Sequence, residues 1–330
     1  MKKLFAVISI LGIFFIAGCE KKEAEVKKLT KVRFLLDWTP NTNHTGVYIA
    51  KEKGYYEKLG LDVEILPAGN DDAIEVLAAG GAEFSVGFQE WLTLAHSANA
   101  GLDVIAVAAI LQGNTSGFLT KENSNIVTAK DLAGRNFGGS NTPLNRAIIN
   151  DIIVKNGGKK DTVKYKNANS MDVMQGLQAE SEFEWAYEGW DVIKSKLENK
   201  NMNFIKLTDY DKNLEFYTPV IMASNKYLKM NPELVKNFMA ATAHGYEDAI
   251  SDPKGATEIL MKNAKGLDSA LVEKSHEFLS KYYKGDALYW GYMKPEVWKN
   301  FTQFLYENGG IPNNVDSSKM FSNEYLESKK

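Results

Sequence analysis

Aromatic and acidic side chains alternate in one short segment near the middle of the chain. Trp185, Tyr187 and Trp190 surround Glu188 at the predicted end of a strand, immediately before a helix. Aromatic faces stack on flat heterocycles, and a carboxylate accepts hydrogen bonds from the amino groups of such a ring. The segment therefore predicts recognition of an aromatic solute, with Glu188 as its polar contact. The alternative is that these rings are core residues and that Glu188 is a solvated surface charge.

A second candidate segment follows the first predicted strand and leads into a helix. Open α/β sheets bind their ligands at this end of their strands. The side chains that could contact a ligand there are Asp37, Trp38 for stacking, Asn41 for paired hydrogen bonds, and His44 at the start of the helix. In the alternative interpretation, Asn41 or Asn43 only caps the helix and Trp38 belongs to the core.

Two further loops lie at predicted strand ends. The first opens a helix, so the backbone amides of Ser140, Asn141 and Thr142 could bind an anion or a carbonyl oxygen. The same loop is equally consistent with a capped connection in which Thr142 is the N-cap. Gln89, after the third predicted strand, and residues 112–116, after the fourth, are lesser candidates.

A repeating order of strand, turn and helix positions these loops. Short apolar runs, and an alternating pattern at 61–66, predict seven strands, at 32–38, 61–66, 84–88, 104–109, 136–138, 163–165 and 183–187. Strands that alternate with helices predict an α/β fold with largely parallel sheets.

The length of 330 residues exceeds what one hydrophobic core usually serves, so two lobes are expected. Residues 29–118 form the first part of lobe 1, and residues 119–217 form lobe 2. An apolar strand at 217–224 returns the chain to lobe 1, whose C-terminal part, residues 218–330, is mainly helical. Two crossings between the lobes predict a hinge, and the cleft between the lobes is the expected place for a small molecule.

The first nineteen residues are typical of a lipoprotein signal peptide with a lipobox. Lys2 and Lys3 precede an apolar stretch from Leu4 to Ala17, which is too short to span a bilayer and ends just before Cys19. Cys19 is the only cysteine, and we expect it to carry the lipid. The charge-rich residues 20–28 predict a flexible tether. The protein is therefore expected outside the cytoplasm, held to the cell membrane by its lipid.

Composition and net charge indicate an ordinary globular protein and argue against one class of function, nucleic-acid binding. Hydrophobic residues at 44% and charged residues at 25% match an ordinary globular protein. A formal net charge of −3 gives no electrostatic reason to expect nucleic-acid binding. We expect a monomer that uses no metal and no cofactor.

The chain resembles the pyrimidine-precursor-binding proteins of thiamine salvage. Five segments carry the resemblance in the family's order and span nearly the whole mature chain: Asp37 to Gly46, Gly54 to Tyr56, Gly139 to Pro143, the run ending at Trp190, and Trp290 to Trp298. The resemblance implies a type II periplasmic-binding-protein fold. It also implies an ABC permease and its ATPase as partners, and a ligand similar to formylaminopyrimidine or hydroxymethylpyrimidine.

The resemblance also implies roles for individual residues. Trp38 and either Tyr187 or Trp190 would stack on the ring, while Asn41 and Glu188 would contact its polar edge. The backbone amides of residues 140–142 would meet the ligand's substituent.

One position departs from the family pattern, and the fold is shared by binders of other ligands. The family pattern has a tyrosine before the glutamine, whereas Phe88 precedes Gln89 here. The polar contact that the tyrosine implies therefore does not carry over to this chain. Relatives on the same fold bind riboflavin precursors, sulfonates or nitrate, so these ligands remain alternatives.

The competing class is an enzyme, because yeast-type pyrimidine synthases share the fold and the early signature. Those enzymes carry a cysteine-rich iron-binding run, whereas the only cysteine here is Cys19. His44, His96, His244 and His276 lack the spacing of a zinc pair, and no catalytic-triad motif is present. A third possibility is a lipoprotein adhesin, which would need no ligand-stacking cleft.

Overall fold

The structure is a computed structural model that describes residues 28–99, 101–166 and 172–326. The predicted signal peptide with Cys19, and residues 20–27 of the predicted tether, lie outside the described residues. Within the described ranges, no helix is both long enough and apolar enough to cross a bilayer.

The described residues form ten strands and twelve α-helices. In chain order the strands are β1 (Thr30–Leu35), β2 (Leu61–Leu66), β3 (Phe84–Gly87), β4 (Val104–Ala109), β5 (Ser116–Lys121), β6 (Asn136–Gly138), β7 (Lys164–Lys166), β8 (Phe183–Tyr187), β9 (Met202–Lys206) and β10 (Val220–Ser224). The helices are α1 (Thr45–Glu52), α2 (Tyr55–Lys58), α3 (Ala73–Ala78), α4 (Gln89–Ala98), α5 (Pro143–Lys155), α6 (Val173–Gln178), α7 (Ile193–Leu197), α8 (Asn225–Met230), α9 (Pro232–Ser251), α10 (Pro253–Asn263), α11 (Ser269–Leu279) and α12 (Pro295–Glu307).

The first sheet has the strand order β2-β1-β3-β10-β4. β1 pairs in parallel with β2 and β3, whereas β10 runs antiparallel to β3 and β4. Phe34 and Phe84 project from this sheet into the core, where the rings of Phe84 and Phe238 stack with centroids 3.9 Å apart. The apolar residues of β1, Val32, Phe34 and Leu35, are all buried, as the apolar run in the sequence predicts.

The second sheet has the order β7-β6-β8-β5-β9. Phe118, Phe137 and Phe183 lie on its strands and belong to a second buried core. β6 pairs in parallel with β7 and β8, while β5 runs antiparallel to β8 and β9. Both sheets are therefore mixed rather than largely parallel, because the strands next to the crossings run against their neighbours. The edge strand β9 was not predicted, since four of its five residues are only half-buried and apolar residues do not alternate clearly.

The chain crosses between the sheets twice, through residues 110–115 and again before β10. Because all of β5 lies in the second sheet, the first crossing precedes residue 118, where the sequence pattern placed the lobe boundary.

The C-terminal helix α12 packs on the second lobe as well as the first. Phe301 stacks on Phe216 at 4.2 Å within the core of the second lobe, and Trp298 packs against the first lobe. Helix α12 therefore contributes side chains to the cores of both sheets, and the assignment of residues 218–330 to lobe 1 stays a prediction.

Candidate functional site

A cavity of about 380 Å³ lies between the lobes, where several strands end. Its aromatic wall consists of five rings: Trp38 after β1, Phe88 after β3, Trp185 and Tyr187 at the end of β8, and Trp190 just beyond. Thr115 and Pro219, from the two crossings, also line the cavity. Clefts of roughly 300–1,000 Å³ with mostly apolar walls are typical small-molecule sites.

Hydrogen bonds lock the loop after β1 into shape. Asn41 caps a short 3₁₀ helix: its Oδ1 accepts from the backbone N–H of Asn43 at 2.8 Å, and its Nδ2 donates to the carbonyl of Thr39 at 3.1 Å. The backbone N–H of Asn41 donates to Nδ1 of His44 at 3.1 Å, so Nε2 of His44 carries the proton that it shares with Asp37 Oδ1 at 2.6 Å. The capping that was one alternative for Asn41 is therefore present.

Only some predicted residues of this loop reach the cavity. Asp37, Trp38 and Asn41 line it, whereas His44 is fully buried and acts by holding Asp37. Asn43 also lines the cavity, and its buried Oδ1 has no hydrogen-bond partner within the described residues. The sequence predicts Asn43 only as an alternative helix cap, because it does not tell which of two nearby asparagines uses its side-chain oxygen for capping.

The wall from the second lobe is built by β8 and the π-helical turn Glu188–Val192. The backbone N–H of Tyr187 donates to Asp191 Oδ2 at 2.8 Å, which fixes the start of the turn. Asp191 lines the cavity, and burial raises the pKa of its carboxyl to about 6. The sequence did not single out Asp191, because only the turn brings its side chain back toward the strand end.

Glu188, the predicted polar contact, does not line the cavity. Its Oε2 accepts a hydrogen bond from Lys206 Nζ at 3.1 Å. Lys206 belongs to β9, the edge strand that the sequence did not reveal, so this partner could not be foreseen.

Glu184, four residues earlier, lines the cavity instead. The residue is only 6% exposed, and its Oε1 has no partner within the part of the chain that the structure describes. A Cβ on Gly138 or Gly176 would lie 1.9 or 2.1 Å from Oε1, so the carboxyl fits only because both residues are glycines. Burial raises the pKa of Glu184 to about 7, against a hydrogen bond from Ser181 that lowers it.

The predicted loop before α5 serves the scaffold. Ser140, Asn141 and Thr142 do not line the cavity; Thr142 Oγ1 accepts from the backbone N–H of Asn145 at 3.1 Å, as the N-cap of α5. Of that loop only Gly138, at the end of β6, reaches the cavity.

Gln89 and Glu90 begin α4 behind the aromatic wall. Gln89 is fully buried and does not line the cavity; its Oε1 accepts from the backbone N–H of Tyr217 at 2.8 Å, next to the second crossing. Glu90 is 4% exposed, its Oε2 lacks a partner among the described residues, and burial raises its pKa to about 8. Burial, and secondarily the nearby Glu90 carboxyl, raise the pKa of Tyr187.

The lining is therefore aromatic and acidic. Asp37, Glu184 and Asp191 contribute carboxyl groups, and the described lining includes no lysine, arginine or histidine. Over 28–99, 101–166 and 172–326, no group of three or more His, Cys, Asp or Glu side chains is arranged to hold a metal ion. Such a cleft favours a flat ligand that donates hydrogen bonds and is neutral or positively charged.

Comparison with known proteins gives matches over most of the chain. The family model described as NMT1/THI5 like matches residues 41–256. A formylaminopyrimidine-binding protein of Halalkalibacterium halodurans is 27% identical over 285 residues, covering 83% of this chain and 84% of that protein. A 4-amino-5-hydroxymethyl-2-methylpyrimidine phosphate synthase of Saccharomyces cerevisiae is 25% identical over 313 residues, covering 90% and 88%.

A solved structure shares the fold. The periplasmic aliphatic sulphonate binding protein SsuA from Escherichia coli superposes with a TM-score of 0.68 at 17% identity, covering 90% of this chain and 99% of that chain. This likeness confirms the predicted two-lobed α/β periplasmic-binding-protein fold.

Proposed function

Because the chain belongs to the NMT1/THI5-like family, we propose that it is the solute-binding component of an ABC importer. Its ligand is an amino-substituted pyrimidine of the thiamine-precursor kind, such as formylaminopyrimidine or hydroxymethylpyrimidine. The observation that carries the proposal is a cleft lined by five aromatic rings and three carboxyl groups, with no basic side chain in its described lining.

The aromatic rings supply the stacking surface. Trp38 comes from the first lobe and Trp190 from the second, and their centroids are 6.4 Å apart with planes at 81°. A pyrimidine therefore stacks on one of these indoles and meets the other at its edge, in the two geometries that aromatic pairs prefer.

The acceptors supply specificity for amino groups. Glu184 Oε1 and Asn43 Oδ1 are buried acceptors without a partner among the described residues, and both residues line the cleft. A ligand that donates hydrogen bonds to them removes the penalty of about 1–3 kcal/mol that each unpaired buried polar group carries. An analogue without the donor leaves that penalty in place.

The same acceptors disfavour the anionic alternatives. A sulfonate, nitrate or phosphorylated ligand would place its negative charge beside the carboxyl groups of the lining, and each of them that is ionised repels an anion in the low dielectric of the cleft. The sulphonate-binding protein shares the fold at 17% identity, and its ligand does not transfer on that basis. A riboflavin precursor is a second aromatic candidate that the cleft does not exclude by charge.

An enzymatic role is the other class to weigh, since several relatives are named as pyrimidine phosphate synthases. The described lining offers no lysine, histidine or cysteine as a nucleophile or base. The N-terminal segment typical of exported lipoproteins supports a site outside the cytoplasm, with lipid on Cys19 as the anchor. The permease and ATPase would be its partners, and it would act as a monomer.

The test is a thermal-shift screen of the purified protein, followed by mass spectrometry of the recovered ligand. The panel contains formylaminopyrimidine, hydroxymethylpyrimidine, thiamine, riboflavin, taurine and nitrate. A ligand at a thousandfold excess over its Kd adds about 4 kcal/mol to the free energy of unfolding. We expect the pyrimidines alone to stabilise the protein and to be recovered unchanged. Chemical conversion of the pyrimidine would instead show that the protein is an enzyme. Stabilisation by taurine or nitrate would contradict the proposal that the ligand is a pyrimidine.

A further inference from the structure

A buried histidine of α11 forms hydrogen bonds to two helices of the first lobe. Nε2 of His276 lies 2.7 Å from Thr45 Oγ1 on α1, and Nδ1 lies 2.8 Å from Thr257 Oγ1 on α10. Burial lowers the pKa of His276 to about 4, so the imidazole is neutral and forms both hydrogen bonds at ordinary pH. Helix α11 therefore moves with the first lobe.

The preceding residue, Ser275, contacts both walls of the cleft. Its Oγ donates to the carbonyl oxygen of Gly189 at 2.6 Å, in the turn of the second lobe. The Oγ of Ser275 also lies 2.7 Å from Thr42 Oγ1, next to Asn41 in the first lobe. Because Ser275 has one proton and gives it to Gly189, the hydroxyl of Thr42 is the donor in the second bond.

Gly189 allows the close approach that this bond requires. A Cβ at position 189 would lie 2.8 Å from Leu279 Cδ2 and 3.0 Å from Phe278 Cδ1, both on α11. The backbone of Gly189 is outside the left-handed region, so an alanine there is strained only by this contact. A side chain at this position therefore crowds the face of α11 where the two lobes meet, although the end of the Leu279 side chain can move aside.

We propose that Ser275 is a closure latch: a positioning residue whose hydrogen bond to Gly189 holds the turn with Trp190 and Asp191 against Trp38 when the cleft is closed. The proposal rests on the proposed function as a solute-binding protein. Ser275 does not line the cleft, and it acts by keeping the aromatic wall of the second lobe in place.

The test compares Ser275→Ala with the matched variant Ser280→Ala. Ser280 follows the last residue of α11, and its hydroxyl donates to the carbonyl oxygen of Glu277 at 3.2 Å, within the same lobe. Stopped-flow tryptophan fluorescence measures the association and dissociation rates of formylaminopyrimidine. We expect Ser275→Ala to raise the dissociation rate about threefold to tenfold, as for one lost hydrogen bond, with little change in the association rate. Gly189 itself lines the cleft, so Gly189→Ala is compared only in the scattering experiment below. We expect Ser280→Ala to match wild type in both rates. Equal dissociation rates for Ser275→Ala and Ser280→Ala would overturn the latch.

Small-angle scattering separates failure of the latch from failure of the proposed function. If wild type binds no pyrimidine, the function proposal fails, and the ligand-free proteins still decide the latch. The latch predicts a larger radius of gyration for Ser275→Ala and Gly189→Ala than for wild type and Ser280→Ala. The same radius in all four proteins would contradict it.

Discussion

The indole rings of Trp38 and Trp190 meet edge to face across the cleft, with centroids 6.4 Å apart and planes at 81°. Each ring comes from a different lobe, so this contact exists only while the lobes are close together. A flat ligand in the cleft can stack on one indole and contact the other at its edge. Binding and lobe closure are therefore expected to depend on the same two side chains.

Replacing either indole tests the stacking surface. We expect Trp38→Ala and Trp190→Ala each to raise the Kd for formylaminopyrimidine about tenfold or more, because a buried aromatic contact is lost. The measurement is isothermal titration calorimetry. Trp91→Ala is the control, since Trp91 is 41% exposed on α4 and does not line the cleft. Wild-type affinity in both cleft variants would remove stacking from the account.

Replacing one of two glutamates tests which of them recognises the ligand. Glu184→Gln turns a buried acceptor into a group that also donates, so we expect the Kd for an amino-pyrimidine to rise about tenfold. Glu188→Gln changes only a carboxylate paired with Lys206, and we expect unchanged affinity. Unchanged affinity in Glu184→Gln together with a raised Kd in Glu188→Gln would instead identify Glu188 as the polar contact.

The pH dependence of binding tests the ionisation of Glu184. Its pKa is raised to about 7 by burial, so the carboxylate fraction increases from pH 6 to pH 8. If the ionised form accepts the ligand's hydrogen bonds, affinity increases about tenfold over this interval. Calorimetry of wild type and Glu184→Gln at both pH values isolates this contribution, since titration of the ligand itself affects both proteins equally. A parallel change in the two proteins would contradict the assignment.

Glu90 makes a separate prediction about stability. Burial raises its folded-state pKa to about 8, above the ordinary value of 4.5, so the folded protein binds the proton more tightly than the unfolded chain. The contribution of the protonated Glu90 to the free energy of unfolding is therefore fully present below pH 4.5 and is lost as the pH rises through 8. We expect Glu90→Gln to gain stability relative to wild type by up to about 1 kcal/mol per pH unit across this window.

Denaturant unfolding at pH 5, 6.5 and 8 measures this difference. Glu258→Gln, at an exposed position of α10, is the control and should follow wild type at every pH. A constant difference between Glu90→Gln and wild type would show that Glu90 does not titrate in this range.

The aromatic wall could be predicted from the sequence, whereas its acidic partner could not. Trp38, Trp185, Tyr187 and Trp190 stand at strand ends, where open α/β sheets bind ligands, and the strand β8 was predicted with its observed bounds. Choosing between Glu184 and Glu188 required the π-helical turn and the edge strand β9, which sets Lys206 beside Glu188.

Contacts between distant parts of the chain explain the remaining differences. The room for the Glu184 carboxyl depends on Gly138 and Gly176, which follow no local pattern that points to a carboxylate. The bond from Ser275 to Gly189 joins positions 86 residues apart. Local periodicity locates strands and helices, but it carries no information on which side chains meet when the lobes pack.

The most direct test of the central claim is isothermal titration calorimetry of the purified protein with formylaminopyrimidine and, separately, with an alkanesulfonate. The acidic aromatic cleft predicts saturable binding of the pyrimidine with a Kd in the micromolar range or tighter, and no binding of the sulfonate at millimolar concentration. Saturable binding of the sulfonate together with no heat from the pyrimidine would contradict the account.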